Sequence, residues 1–152
     1  MHFRSNLAPK VVRPARQAGA GGRSATDVID AGNLTFVDAD GLVTVLDRAT
    51  PEHHFIAEVW RFEIDARSTL VTTDYSVLKA ALALQESHGL AAVDRLFRDV
   101  VPALRVERCT RADVDQAVVS LMASGDAGRD LVRHIEDRVR ARLRVTRALS
   151  RG

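Results

Sequence analysis

The chain has 152 residues, 46% of them hydrophobic and 28% charged, with 22 basic against 20 acidic side chains; this is the composition of a globular domain, not of a fibrous or disordered chain. The net charge of +2 is a cancellation. Residues 1–25 carry five basic and no acidic side chains, 26–128 carry nine against seventeen, and 129–152 carry eight against three, so successive charges of +5, −8 and +5 exclude a uniformly basic nucleic-acid binder.

Residues 1–33 are predicted to form a basic, disordered tail ahead of a domain over 34–152. They hold two of the four prolines and four of the nine glycines without a sustained apolar period, and such a segment cannot offset its ordering entropy. They lack the apolar stretch of a secretory signal, and their apolar residues do not share one helical face as those of a transit peptide do. Gly19-Ala20-Gly21-Gly22 has neither the preceding strand nor the following Lys-Ser/Thr pair of a phosphate-cradling loop.

From Leu34 the pattern becomes regular. Leu34-Thr35-Phe36-Val37 reads as a buried strand ending at Asp38, and Leu42, Val43, Val45 and Leu46 as a short helix closed by Asp47-Arg48. Thr50-Pro51-Glu52 supplies an N-cap, a first-turn proline and a first-turn acid for a helix through Phe55, Ile56, Val59, Trp60 and Phe62. Leu70-Val71-Thr72 is a second strand. Thr73 or Asp74 then caps a helix whose apolar residues are Val77, Leu78, Ala81, Leu82 and Leu84, stopped by Gly89. A further helix spans Leu90 to Val101 before Pro102, Leu104–Glu107 is a third strand, and Thr110-Arg111-Ala112-Asp113 resembles a capping box for a helix to Met122. A last helix is expected from Arg129 to Arg142 and a last strand from Val145 to Leu149.

Alternating strands and helices with short connections predict an α/β domain, a three-layer α/β/α sandwich on a mainly parallel central sheet. Chemistry in such folds gathers at the carboxyl ends of the strands, which singles out Asp38 and the stretch from Thr72 to Tyr75. No run approaches the roughly eighteen apolar residues of a membrane span. Cys109, the lone cysteine, excludes an internal disulfide and a cysteine-based zinc site. A reducing cytoplasm is the expected compartment.

Three stretches, Val37-Asp38 with Gly41–Arg48, Pro51-Glu52-His53-His54, and Leu70-Val71-Thr72-Thr73-Asp74-Tyr75-Ser76-Val77-Leu78-Lys79-Ala80, resemble PIN domains. The nearest group is the VapC-type toxins of toxin–antitoxin pairs, over about residues 34 to 149. The resemblance implies a PIN-like fold and a Mg- or Mn-dependent endoribonuclease, with RNA as substrate, an antitoxin protein as partner and a homodimer as a further expectation. In such enzymes acids from separate strand ends and helices meet in one pocket, because hard divalent cations require several oxygen ligands around one point.

Carried onto this chain, the pattern is incomplete. Asp38 matches the first acid, a metal-ligand and catalytic position, although a strand-to-helix turn also suits Asp as an N-cap. Lys79 stands where the second acid, a Glu, is expected. At an effective dielectric near 20 and about 4 Å, that reversal turns a favourable term of roughly 8 kcal/mol towards a divalent ion into an unfavourable one. The acid expected in the last long helix falls on Ile135 aligned forward from Asp130, or on Arg133 aligned backward from Val145–Leu149. Glu136 and Asp137 lie close by but are predicted to point off that face, as solvated partners of neighbouring arginines. After the last strand the chain reads Ser150-Arg151-Gly152, without an acid.

Two functions follow. One is a catalytically impaired PIN-like domain acting as a binding or interaction module, with Lys79 paired to Asp38 where the metal was. The other is an active Mg/Mn endoribonuclease whose reorganised site combines Asp38 with Asp126, Glu136 or Asp137. Arg133, Arg140 and Arg144 are candidate RNA contacts, the alternative being a solvated helix face docked through Leu131, Val132, Ile135, Val139 and Leu143. His53 and His54 cannot share a pocket on one helix, His88 suits a helix end, Asp74 an N-cap and Asp126 a Gly-rich turn. No nucleophile signature surrounds Cys109.

Overall fold

All four side chains of Leu34–Val37 are buried, and this strand, β1, lies inside the sheet. The computed structural model describes residues 33–151, so the tail assigned to 1–33 lies, apart from Asn33, outside the described residues. In chain order the elements are β1 (Leu34–Val37), α1 (Ala39–Leu46), α2 (His53–Asp65), β2 (Thr69–Thr73), α3 (Asp74–His88), α4 (Leu90–Arg95), β3 (Arg105–Glu107), α5 (Arg111–Ser124), α6 (Leu131–Leu143) and β4 (Arg147–Leu149).

The strands are all parallel in the order β3-β2-β1-β4, with Thr35 of β1 opposite both Leu70 of β2 and Arg147 of β4. Period-two alternation divides the core. Leu34, Phe36 and Val71 face α5 and α6 through Ala117, Ile135 and Val139. Val37, Leu70 and Leu149 face the opposite layer, with Leu42, Ile56, Trp60, Val77 and Leu84. This is the expected three-layer α/β/α sandwich. Among the described residues no helix is long and apolar enough to cross a membrane.

Several boundaries differ from the sequence expectation for identifiable reasons. Thr50 does not cap α2, because its hydroxyl donates to Asp47 Oδ2 at 2.9 Å and closes the turn after α1. The helix expected from Leu90 to Val101 stops at Arg95 and continues as a wide π turn over Leu96–Val100 and a tight turn over Val101–Ala103. That change of pitch buries Leu96 and Val100. On α3 the inward face is Ser76, Val77, Ala80, Ala81 and Leu84, which leaves Leu78 and Leu82 exposed.

β4 begins at Arg147, not Val145, because Arg144 turns left-handed (φ 56°) and the Val145 N–H returns to the Arg140 carbonyl at 2.9 Å. A left-handed residue that carries a Cβ is strained by about 1 kcal/mol, which glycine avoids. Gly89 and Gly125 occupy the corresponding positive-φ positions after α3 and α5. Arg144→Gly is therefore expected to stabilise the fold by about 1 kcal/mol, read as a raised midpoint in urea denaturation.

Candidate functional site

The candidate site is a cluster of side chains at the carboxyl edge of the sheet, where β1 hands over to α1. Asp38 is only 6% exposed and caps that helix, its Oδ1 accepting the Gly41 N–H at 2.7 Å. The position is thus both the expected site acid and an N-cap. β4 closes the other side, with the Asp38 N–H reaching the Leu149 carbonyl at 3.4 Å. A Cβ on Gly41 would lie 2.5 Å from that same carbonyl oxygen, so the approach of α1 to β4 requires glycine.

Helix α6 supplies the opposite wall through Asp130, Arg133 and Glu136. Spaced three apart, these residues lie on one helical face, successive members only about 60° apart. Asp130 caps α6, accepting the Arg133 N–H at 3.0 Å, and its Oδ2 is 2.6 Å from the Lys79 ammonium on α3. Arg133 reaches two acids: Nη2 is 3.1 Å from Asp40 Oδ2, and Nη1 is 3.7 Å from Asp38 Oδ2. Glu136 is 4% exposed, and its Oε1 accepts the Ala39 N–H at 3.0 Å and the Ser76 hydroxyl at 2.8 Å. Since Ser76 donates to Glu136, the Thr73 hydroxyl, 2.7 Å away, donates to Ser76 and completes a buried relay.

Burial pushes the Glu136 carboxyl up to about 7, and the nearby Asp38 charge adds to the rise against the hydrogen bonds from Ser76 and Ala39 and the charge of Lys79. Burial by itself would lower the Lys79 pKa, but the bond to Asp130 and the charges of Asp130, Asp40 and Glu136 hold it above its ordinary value. Asp130 is correspondingly held low, its bonds to Lys79 and to the Arg133 N–H outweighing burial.

Two sequence expectations are corrected by this geometry. Glu136 is not a solvated surface partner; it shares the inward face of Arg133, one turn further on. Lys79 pairs with Asp130 and not with Asp38, and the cation facing Asp38 is Arg133. Asp137 does pair outward, 2.6 Å from Arg129. Asp126 is exposed and closes its own turn by accepting the Gly128 N–H at 2.9 Å. Of the arginines considered for RNA, Arg133 faces the pocket acids, Arg140 lies over the Phe36 ring at 5.9 Å, and Arg144 is turned to solvent.

The remaining candidates have structural partners. His53 Nδ1 is 2.8 Å from the Thr44 carbonyl, His54 pairs with Glu58 and His88 with Asp47. Asp74 accepts the Cys109 N–H at 3.1 Å, while Thr73 is the N-cap of α3. Burial first, and then Asp74, push the Cys109 thiol up to about 12, so it carries no thiolate at neutral pH. The site roles of Asp40, Ser76 and Asp130 escaped the sequence reading, whereas Thr73 lies in the stretch it singled out; the signal for Asp130 was its cap spacing to Arg133, and Ser76 had none. Among the described residues no group of three or more His, Cys, Asp or Glu side chains is placed to hold a metal ion.

No family model matches the sequence, and no curated protein matches it. The fold does have a match. The crystal structure of Mycobacterium tuberculosis VapC20, described as a sarcin–ricin loop cleaving toxin, superposes with a TM-score of 0.67 over 78% of this chain and 89% of that one, at 17% sequence identity. At that identity the likeness is one of fold, and it agrees with the all-parallel sheet and the flanking helix layers. This chain has a VapC-like PIN fold.

Proposed function

We propose that this chain is a PIN-fold relative of the toxin–antitoxin ribonucleases in which metal-dependent cleavage is lost and binding is retained, acting in the cytoplasm on RNA and on an antitoxin-type protein. The observation that carries the reading is the donor set. Asp38 is joined by Glu136, whose burial favours the neutral carboxyl, and position 79 is a lysine. Such a set does not fit a resident Mg²⁺ or Mn²⁺ ion, which requires several anionic or carbonyl oxygens converging on one point. In this reading Asp38 keeps the ancestral ligand position as a helix cap, Asp126 takes no part, and Arg144 is the arginine left to meet a phosphate backbone. A protein partner or a second copy would meet the apolar side chains that α3 and α5 leave exposed, Leu78 and Leu82 on one and Val119 and Met122 on the other.

Isothermal titration of the full chain with Mn²⁺ is expected to show no sub-millimolar binding. Single-stranded RNA incubated with protein and Mn²⁺ should be retarded on a native gel yet recovered uncut. Metal binding that Asp38→Ala abolishes, accompanied by cleavage, would replace this reading with an active Mg/Mn endoribonuclease built on Asp38 and Glu136.

A further inference from the structure

Resting on that reading of the pocket, we propose that Arg133, assisted by Lys79, is its built-in counter-cation: a guanidinium bridging Asp38 and Asp40 supplies from α6 the positive charge that a divalent ion would bring. Three carboxylates, Asp38, Asp40 and Asp130, face two fixed cations, and Glu136 stands behind them. Each cation has its own partner. Lys79 binds Asp130, and Arg133 directs one terminal nitrogen to Asp40 and the other towards Asp38. A guanidinium suits this because its planar fork presents separate donors to separate acceptors, which an ammonium cannot do with the same geometry.

The bridge also has a mechanical result. Asp130 and Arg133 tie α6 to α3 and α1, and Glu136 adds bonds from the same helical face to the Ala39 N–H and Ser76. These contacts join segments from opposite layers of the sandwich across the carboxyl edge of the sheet. Asp38 is too buried to be well solvated, and removing its cationic partner leaves a charge whose desolvation is no longer compensated. Without Arg133 the site would hold three carboxylates against Lys79 alone.

Thermal unfolding of the full chain with and without millimolar MnCl₂ tests this. The wild-type Tm should not respond to Mn²⁺. Arg133→Met, which keeps the apolar stem and removes the charge, should lower the Tm by roughly 5 °C, and Mn²⁺ should not recover that loss, because among the described residues no three acids converge on one point. Arg133→Lys should fall between the two proteins. In a cycle with Asp38→Asn, the double variant should lose less than the sum of the single losses. A Tm for Arg133→Met equal to that of the wild type, additive losses in the cycle, or a Tm raised by Mn²⁺ in either protein would overturn the proposal. Should Arg133→Met fail to fold, Arg133→Lys and its cycle with Asp38→Asn decide the matter by the same criteria. Metal-dependent RNA cleavage by the wild type would overturn the loss of catalysis, whereas absent coupling between Arg133 and Asp38 would overturn the counter-cation alone.

Discussion

Gly41→Ala should destabilise the protein by about 3 kcal/mol, near the upper end of overpacking penalties. The sign is informative, because alanine in a helix is ordinarily favoured over glycine by about 1 kcal/mol. Here the added methyl would stand 2.5 Å from the Leu149 carbonyl oxygen, 3.2 Å from Asp38 Oδ1 and 3.3 Å from Val37 Cγ1. The nearest atom is backbone, so relief cannot come from a rotamer change. Either β4 moves away from the first turn of α1, breaking the bond from the Asp38 N–H to Leu149, or that turn shifts and loses the Asp38 cap. The urea midpoint of purified Gly41→Ala measures the effect; a variant as stable as the wild type, or more so, would show that α1 and β4 are not in this close approach.

The second large effect is a pH dependence set by Glu136. Its folded-state value of about 7 lies above the ordinary 4.5. Below pH 4.5 the carboxyl is protonated in both states and its contribution to stability is fully present. Between 4.5 and 7 the folded protein keeps a proton that the unfolded chain has released, so stability falls as pH rises, and above 7 about 3 kcal/mol has been lost. Asp113 and Asp130 act in the opposite sense. Burial alone would raise them, but bonds to Thr110 and Arg142, and to Lys79 and the Arg133 N–H, hold them below their ordinary 3.8, so their contribution is lost on acidification. Glu136→Gln retains an oxygen that can accept from Ser76 and Ala39 while removing the titration. It should match the wild type near pH 4 and exceed it by about 3 kcal/mol at pH 8, measured by urea denaturation at both values. Parallel pH profiles for the two proteins would mean that Glu136 ionises as a solvated carboxyl does.

Local chemistry made much of the fold legible in the sequence. The Thr110–Asp113 capping box forms as read, Gly89 ends α3, and the apolar run before Asp38 is the buried inner strand. Features that depend on tertiary packing were not legible. On α3 the apolar residues outnumber the places available inside, so Leu78 and Leu82 face outward where periodicity had included them with Leu84. The wide turn after Arg95 follows from seating Leu96 and Val100 in the core, which the local sequence does not encode. At the pocket, Asp38 was readable as a strand-end acid. The face presented by α6 was not, because two alignments placed the missing acid at 133 or 135, and only the first puts Glu136 alongside it. Ser76 is a small residue that acquires its role only when α6 arrives from sixty residues away.

The strand order β3-β2-β1-β4 also bears on how the protein is made. β1 emerges from the ribosome before any other strand of the sheet, yet one of its two edges is covered by β4, whose residues follow more than a hundred positions later. Until then Leu34–Val37 offers an unpaired, largely apolar edge of the kind that draws other chains into register. Pairing of such sequence-distant segments is slow, so the interval before Leu149 arrives is when the nascent chain is most open to aggregation and most in need of a chaperone or an early binding partner.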